Sequence, residues 1–216
     1  MKIVKTQLLV GVAVLTIALG MSCRIDAAVV SQQELQAKMA YCKTCHGIDG
    51  RGFRGFYPIP RLAGQQVKYI ENQLHAFIEH RRTNNIMFNV AHVLTPEMLT
   101  ALATNFHELN PEPLGGMGGV STNPAGEGKK IFEEGIPSAN VPPCATCHGA
   151  EAKGNEDFPR LAGQLNDYIF AKLKNWSSER GQVPGNPDNS AMMEPIAHGL
   201  TDAQIRAVAA YVSNLR

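Results

Sequence analysis

Apolar residues recur at helical spacing along the chain, and strict alternation of apolar and polar positions, the mark of a half-buried strand, is missing. One such stretch runs from Gln65 to His80 with Val67, Ile70, Leu74, Phe77 and Ile78 on one face. Its counterpart runs from Gln164 to Trp176 with Leu165, Tyr168, Ile169 and Leu173. Helix starts are marked as well. Ser31-Gln32-Gln33-Glu34 has the spacing of a capping box and opens a helix that leads into a pair of cysteines, and Ala125 to Glu134 occupies the matching place further on. Thr95 followed by Pro96 begins a helix ending near Leu109, since proline is tolerated at the first helical position. Thr201-Asp202-Ala203-Gln204 begins the last helix, with Ile205, Val208, Ala209 and Val212 on one side. The pattern predicts an all-α protein.

The same helices occur twice because the sequence repeats. Cys42-Lys43-Thr44-Cys45-His46-Gly47 returns as Cys144-Ala145-Thr146-Cys147-His148-Gly149, and Pro60-Arg61-Leu62-Ala63-Gly64-Gln65 returns unchanged as Pro159-Arg160-Leu161-Ala162-Gly163-Gln164. Tyr69-Ile70 matches Tyr168-Ile169, and Leu74 matches Leu173. Between the copies, the run from Asn110 to Gly119 is too rich in proline and glycine to continue a helix. The expected organisation is a first domain over 29–109, a linker over 110–124 and a second domain over 125–216.

Residues 1–28 are set apart from this scheme. Lys2 and Lys5 precede an apolar run from Leu8 to Leu19, and small residues follow at Ala27 and Ala28, the layout of an export signal peptide. A retained membrane anchor, or lipidation at Cys23, is the alternative reading of the same residues. Without this segment the formal charge falls from +1 to −1, which gives no footprint for nucleic acid. Residues 31–109 hold 8 basic and 6 acidic side chains against 9 and 11 in 125–216, values small enough to be ordinary solvated surface. Only 6% of the residues are aromatic, so two cores of this size need another large apolar filler. A porphyrin would serve.

Cysteine usage leads to the same group. Apart from Cys23, every cysteine belongs to a Cys-x-x-Cys-His motif, the attachment signature of c-type haem. Two thiols, Cys42 with Cys45 or Cys144 with Cys147, add across the porphyrin vinyl groups, and the adjacent His46 or His148 is held beneath the iron. A zinc site is a poorer reading, because consecutive cysteine and histidine suit tetrahedral ligation badly and each copy lacks a second cysteine pair. A thioredoxin-like redox pair would need a strand and helix context that the pattern does not supply.

For the sixth ligand the first copy offers Met87 and Met98, with His75, His80, His92 and His107 as rivals, and the second offers Met192, Met193 and His198. Repeat register chooses among them. Met87 lies seven residues before Leu94 and eight before Thr95, and Met193 lies seven before Leu200 and eight before Thr201. Met192 breaks the register and Met98 falls inside the final helix. The expected iron ligands are His46 with Met87 and His148 with Met193. A thioether sixth ligand raises the potential and closes the coordination sphere, as suits electron transfer. Two further expectations concern the duplicated Pro-Arg-Leu-Ala-Gly-Gln. The Pro60 and Pro159 carbonyls are placed to accept from the histidines, and Arg61 and Arg160 suit haem propionates, because a guanidinium pairs well with a carboxylate.

At these residues the chain resembles the cytochrome c4 family, in which two class I cytochrome c domains are fused. Each domain of that family has a Cys-x-x-Cys-His motif, a segment of the Pro-Arg-Leu-Ala-Gly-Gln type and a methionine before the last helix. The resemblance spans about residues 31–216. It is close in the stretch "NSAMMEPIAHGLTDAQIRAVAAY", which places Met193 at the ligand position, and looser in "NNIMFNVAHVLTPEM" around Met87. It implies two tandem class I cytochrome c domains, each wrapped around one covalent haem c. It also implies a periplasmic carrier of single electrons, soluble or membrane-associated, and not an enzyme. The donor would be a quinol-oxidising complex or a dehydrogenase, and the acceptor a terminal oxidase. An electron-transfer subunit of a periplasmic dehydrogenase is the alternative, and a diheme enzyme acting on a small substrate is a third reading.

Overall fold

The computed structural model describes residues 30–114, 124–180 and 189–216. The expected export segment, Cys23 and most of the linker lie outside the described residues. Among those described, extended pairing is confined to isolated bridges, Phe53 with Ile59, Ile136 with Val141 and Asn155 with Phe158. Everything else that is regular is helical.

In the first half, α1 (Gln32–His46) is capped by Ser31, whose Oγ accepts from the Glu34 amide at 3.2 Å. Ser31 thus forms its own half of the expected capping box. The helix carries the whole Cys-x-x-Cys-His motif on its last two turns and stops at Gly47, where φ reaches +87°. α2 (Val67–Ile78), α3 (Asn85–Ala91) and α4 (Pro96–Glu108) follow. The α4 cap is Thr95, which accepts from the Met98 amide at 3.2 Å.

The second half repeats this order with one break and one added turn. α5 (Pro124–Glu134) ends at Gly135, where φ is +73°, and the chain loops through a short 3-10 turn at Pro137–Ala139 before a single turn, α6 (Ala145–His148), delivers the histidine. Pro137, Pro142 and Pro143 explain the interruption, because proline removes the amide a continuing helix would need. α7 (Asn166–Lys174), α8 (Trp176–Glu179), α9 (Met193–His198) and α10 (Asp202–Ser213) complete the chain. At Thr201 the capping box is complete, with the Gln204 amide donating to Oγ1 at 3.3 Å and the Thr201 amide donating to Gln204 Oε1 at 2.8 Å.

Each half has its own core. Met39, Ile70, Met98, Leu102, Ala103 and Phe106 join α1, α2 and α4. Phe132, Val141, Ile169, Ile205, Val208 and Val212 join α5, α7 and α10 with the proline-rich loop. The α5–α10 crossing is close at Gly128, where a Cβ would stand 2.1 Å from the Ala207 carbonyl oxygen. Only glycine fits there.

Candidate functional site

Helical spacing puts Cys42 and Cys45 one turn apart on α1 with His46 ending the helix, while Cys144 caps α6 and Cys147 and His148 lie on it. In each pair the first cysteine is half-buried and the second exposed, and none of the four is in a disulfide. Burial pushes the Cys42 thiol up and the Cys144 thiol up to about 11, so both stay protonated at neutral pH.

Both histidines are buried, and each is fixed from behind by a backbone oxygen. His46 Nδ1 lies 2.9 Å from the Pro60 carbonyl oxygen, and His148 Nδ1 lies 2.9 Å from that of Pro159. A carbonyl oxygen can only accept, so Nδ1 carries the proton and donates in each case. That leaves the Nε2 lone pair as the free donor to a metal. Burial lowers the pKa of both rings, against a smaller opposing effect of the carbonyl bond, so the imidazoles are neutral as ligation requires.

The loop between histidine and proline is closed by backbone bonds in both halves. The Gly52 amide donates to the His46 oxygen and the Gly154 amide to the His148 oxygen, each at 2.8 Å. Gly52 adopts a φ of +88°, and a Cβ there would meet the Ile59 oxygen at 2.6 Å. The turn that returns Pro60 to His46 therefore needs a glycine.

Met87 lies on α3 and Met193 opens α9, two short helices that pack against α2 and α7 respectively and immediately precede the final helices. Both methionines are partly buried. Met98 is only 2% exposed among Leu102, Phe106 and their neighbours, and Met192 is 49% exposed. His75, His80, His92, His107 and His198 are all exposed. Several are already engaged: His92 Nδ1 with the Phe88 oxygen at 2.9 Å, His107 Nδ1 with the Gln65 oxygen at 2.8 Å, and His198 Nε2 with Ser177 Oγ at 2.7 Å.

Arg61 and Arg160 donate through Nε to the Ala63 and Ala162 oxygens at 2.8 and 2.9 Å, and Arg61 also reaches the Pro111 oxygen at 2.9 Å. Burial, followed by the neighbouring Arg160 charge, pulls Arg61 down to about 10. Its terminal NH1 is a buried donor without an acceptor among the described residues.

Sequence reasoning missed the residues that join the halves. The duplicated glutamines meet across the boundary: Gln164 Oε1 accepts from the Arg61 amide at 2.8 Å, and Gln65 Oε1 accepts from the Arg160 amide at 2.7 Å. Arg82 is buried, lies over the Phe77 ring, and donates to Gln73 Oε1 and Tyr168 Oη at 2.7 Å each. Arg180 lies over the Trp176 ring and reaches the same Gln73 oxygen at 3.0 Å, while Trp176 Nε1 is a buried donor with no acceptor among the described residues. The signal for the glutamines was in plain view as an unchanged repeat. Nothing in the pattern reveals that Arg82 and Tyr168 meet, because no shared motif links them.

The donor set suits a covalent haem in each half. Paired thiols sit beside a histidine whose Nε2 is free, and the orphaned Arg61 NH1 and Trp176 Nε1 are donors that suit carboxylates such as propionates. A structural zinc site is not formed, since among the described residues no three histidine, cysteine, aspartate or glutamate side chains converge. No single described helix is long and apolar enough to cross a membrane.

Known proteins show the same organisation. The cytochrome c family model matches residues 34–112 and again 125–216. Cytochrome c-552 of Acidithiobacillus ferridurans is 40% identical over 179 residues, covering 81% of this chain and 73% of the relative. A protein of Thiomonas intermedia named thiosulfate dehydrogenase electron acceptor is 36% identical over 194 residues, covering 87% of this chain and 84% of its own. Among solved structures, cytochrome c4 of Acidithiobacillus ferrooxidans aligns with a TM-score of 0.67 at 38% identity, over 81% of this chain and 98% of that one.

Proposed function

The chain belongs to the cytochrome c family, in its diheme cytochrome c4 branch, and on that premise we propose that Cys42, Cys45 and His46 hold one haem c while Cys144, Cys147 and His148 hold the other, with Met87 and Met193 as sixth ligands. That two covalent haem c groups are carried, and that the protein transfers electrons, follows from the family. When bound, each haem supplies an iron that cycles between ferric and ferrous and so stores one electron.

The chain's part is to hold and tune. The observation that supports the ligand assignment is the matched pair of Nδ1 contacts, which leave the Nε2 lone pairs of His46 and His148 available to an iron. Met87 and Met193 occupy equivalent short helices ahead of the final helix, and a six-coordinate centre needs little rearrangement on gaining an electron. Arg61 NH1 and Trp176 Nε1 supply donors for propionates.

The physiological reading is a periplasmic carrier passing single electrons from a quinol-oxidising complex or a dehydrogenase toward a terminal oxidase. A specific observation favours a dehydrogenase as donor, namely the relatives named thiosulfate dehydrogenase electron acceptor. A redox titration of the purified protein tests the reading. Two one-electron steps from methionine-ligated haems, with neither haem binding carbon monoxide rapidly, are expected. Rapid binding at one native haem would instead point to an enzyme with an open iron.

A further inference from the structure

Two peptide units, Pro60–Arg61 and Pro159–Arg160, do double service. The oxygen of the first accepts from His46 Nδ1 at 2.9 Å, and its N–H donates to Gln164 Oε1 at 2.8 Å. The second accepts from His148 Nδ1 at 2.9 Å and donates to Gln65 Oε1 at 2.7 Å. Each glutamine belongs to the opposite domain from the histidine it reaches through the peptide.

Each glutamine amide is bonded at both its oxygen and its nitrogen. Gln164 Nε2 donates to the Arg61 oxygen and Gln65 Nε2 to the Arg160 oxygen, both at 3.0 Å, and the two Oε1 atoms also accept from Leu165 and Gln66 amides at 3.0 and 2.9 Å. Gln65 and Gln164 are 5% and 7% exposed, so water does not compete for these bonds. Each glutamine thus grips its arginine at both the N–H and the carbonyl, on the two peptide units that flank the residue, and so anchors the unit whose oxygen is the histidine's acceptor.

We propose that Gln65 and Gln164 are crossed positioning residues, each setting the strength of the proximal-histidine hydrogen bond, and hence the redox balance, of the haem in the other domain. The inference rests on His46 and His148 being the iron ligands. Hydrogen bonds in a chain polarise one another. An acceptor on the peptide N–H makes the peptide oxygen a better acceptor for the imidazole N–H, which makes the imidazole a more electron-rich ligand and favours ferric iron. Removing the glutamine oxygen weakens that push in the opposite domain.

The experiment uses the full-length haem-loaded protein and its Gln164→Leu and Gln65→Leu variants. Each haem is followed separately in a redox titration by its own methyl signals in the NMR spectrum, assigned by contacts to its own domain. Gln164→Leu should lower the ferric-to-ferrous ratio of the first-domain haem at a fixed poise by about threefold, or ~28 mV at 59 mV per tenfold, and leave the second within measurement. Gln65→Leu should do the reverse. If one variant does not fold, its mirror carries the test. Equal shifts at both haems, a shift confined to the variant's own domain, or no shift would each overturn the proposal. Failure of the ligand reading is separately visible, since the unaltered protein would then lack paramagnetically shifted signals from His46 and His148.

Discussion

At the scale of single residues, burial separates methionines that look alike in sequence. Met98 is packed in the first core, so Met98→Ala should cost about 2–5 kcal/mol of stability in a denaturant titration and leave the haem spectra unchanged. Met193→Ala should do the opposite. It would open one iron to carbon monoxide and lower that haem's potential, since the thioether is what raises it. Carbon monoxide titration that finds no open haem would remove Met193 from the ligand set. Met87→Ala makes the same test in the first domain. A second case is Tyr168, whose hydroxyl accepts from Arg82. The surrounding cations Arg82, Lys172 and Arg180 outweigh burial and hold this phenol below its ordinary pKa. Tyr168→Phe deprives a buried guanidinium of an acceptor and should cost about 1–3 kcal/mol in chemical denaturation. A loss below 0.5 kcal/mol would show that the bond contributes little. Residue chemistry of this kind was partly legible in the sequence. The histidines and cysteines announce themselves by spacing, and the acceptor prolines by duplication. The Arg82–Tyr168 contact does not, because no motif or spacing pairs those two residues.

At the scale of elements, length decided what could be read. The 12- and 13-residue helices α2, α4 and α10 have enough turns for a face to repeat, and their caps at Thr95 and Thr201 stand where the sequence places them. α3 and α9, with seven and six residues, are too short to show a period and emerge only in the structure. The end of α5 was legible, since the helix expected over Ala125 to Glu134 stops where α5 stops, and Gly135, Pro142 and Pro143 set it apart from α6, whereas α1 runs through to its histidine. The close approach of α5 to α10 left only Gly128 as a sign. Gly128→Val would drive a side chain into the Ala207 backbone, which is not a flexible neighbour. We expect a loss of about 1–3 kcal/mol or more, confined to the second domain, seen as earlier thermal release of the His148 spectroscopic signature with the first domain unaffected. A uniform loss in both domains would mean that the two fold as one unit.

Two separate hydrophobic cores with amides and arginines between them make this a molecule whose halves are joined by polar contacts. Such an interface is held by the direction of its hydrogen bonds more than by apolar area. Its parts should respond differently to solvent. The glutamine pairings are buried, but Lys68 with Glu156 and Asp157 lies at the exposed rim, at 3.4 and 3.1 Å. The Lys68 ammonium is held above its ordinary 10.5, first by the Asp157 hydrogen bond and charge and then by Glu156. A raised lysine contributes its stabilisation fully below the unfolded value and loses it as pH climbs through the folded one. The lysine's share of the rim support is therefore intact at neutral pH and is lost as pH climbs into the alkaline range. Salt acts sooner, since at 1 M the screening length falls to about 3 Å. If the rim pairs held the halves together, 1 M salt or Lys68→Met would extend the molecule. We expect no change in the small-angle scattering profile from either at pH 7, because an exposed pair is worth little and the buried amides do not feel the salt. The combined Gln65→Leu and Gln164→Leu variant, by contrast, should extend it, and an unaltered profile for that variant would move the join to the Arg82, Tyr168 and Gln73 cluster.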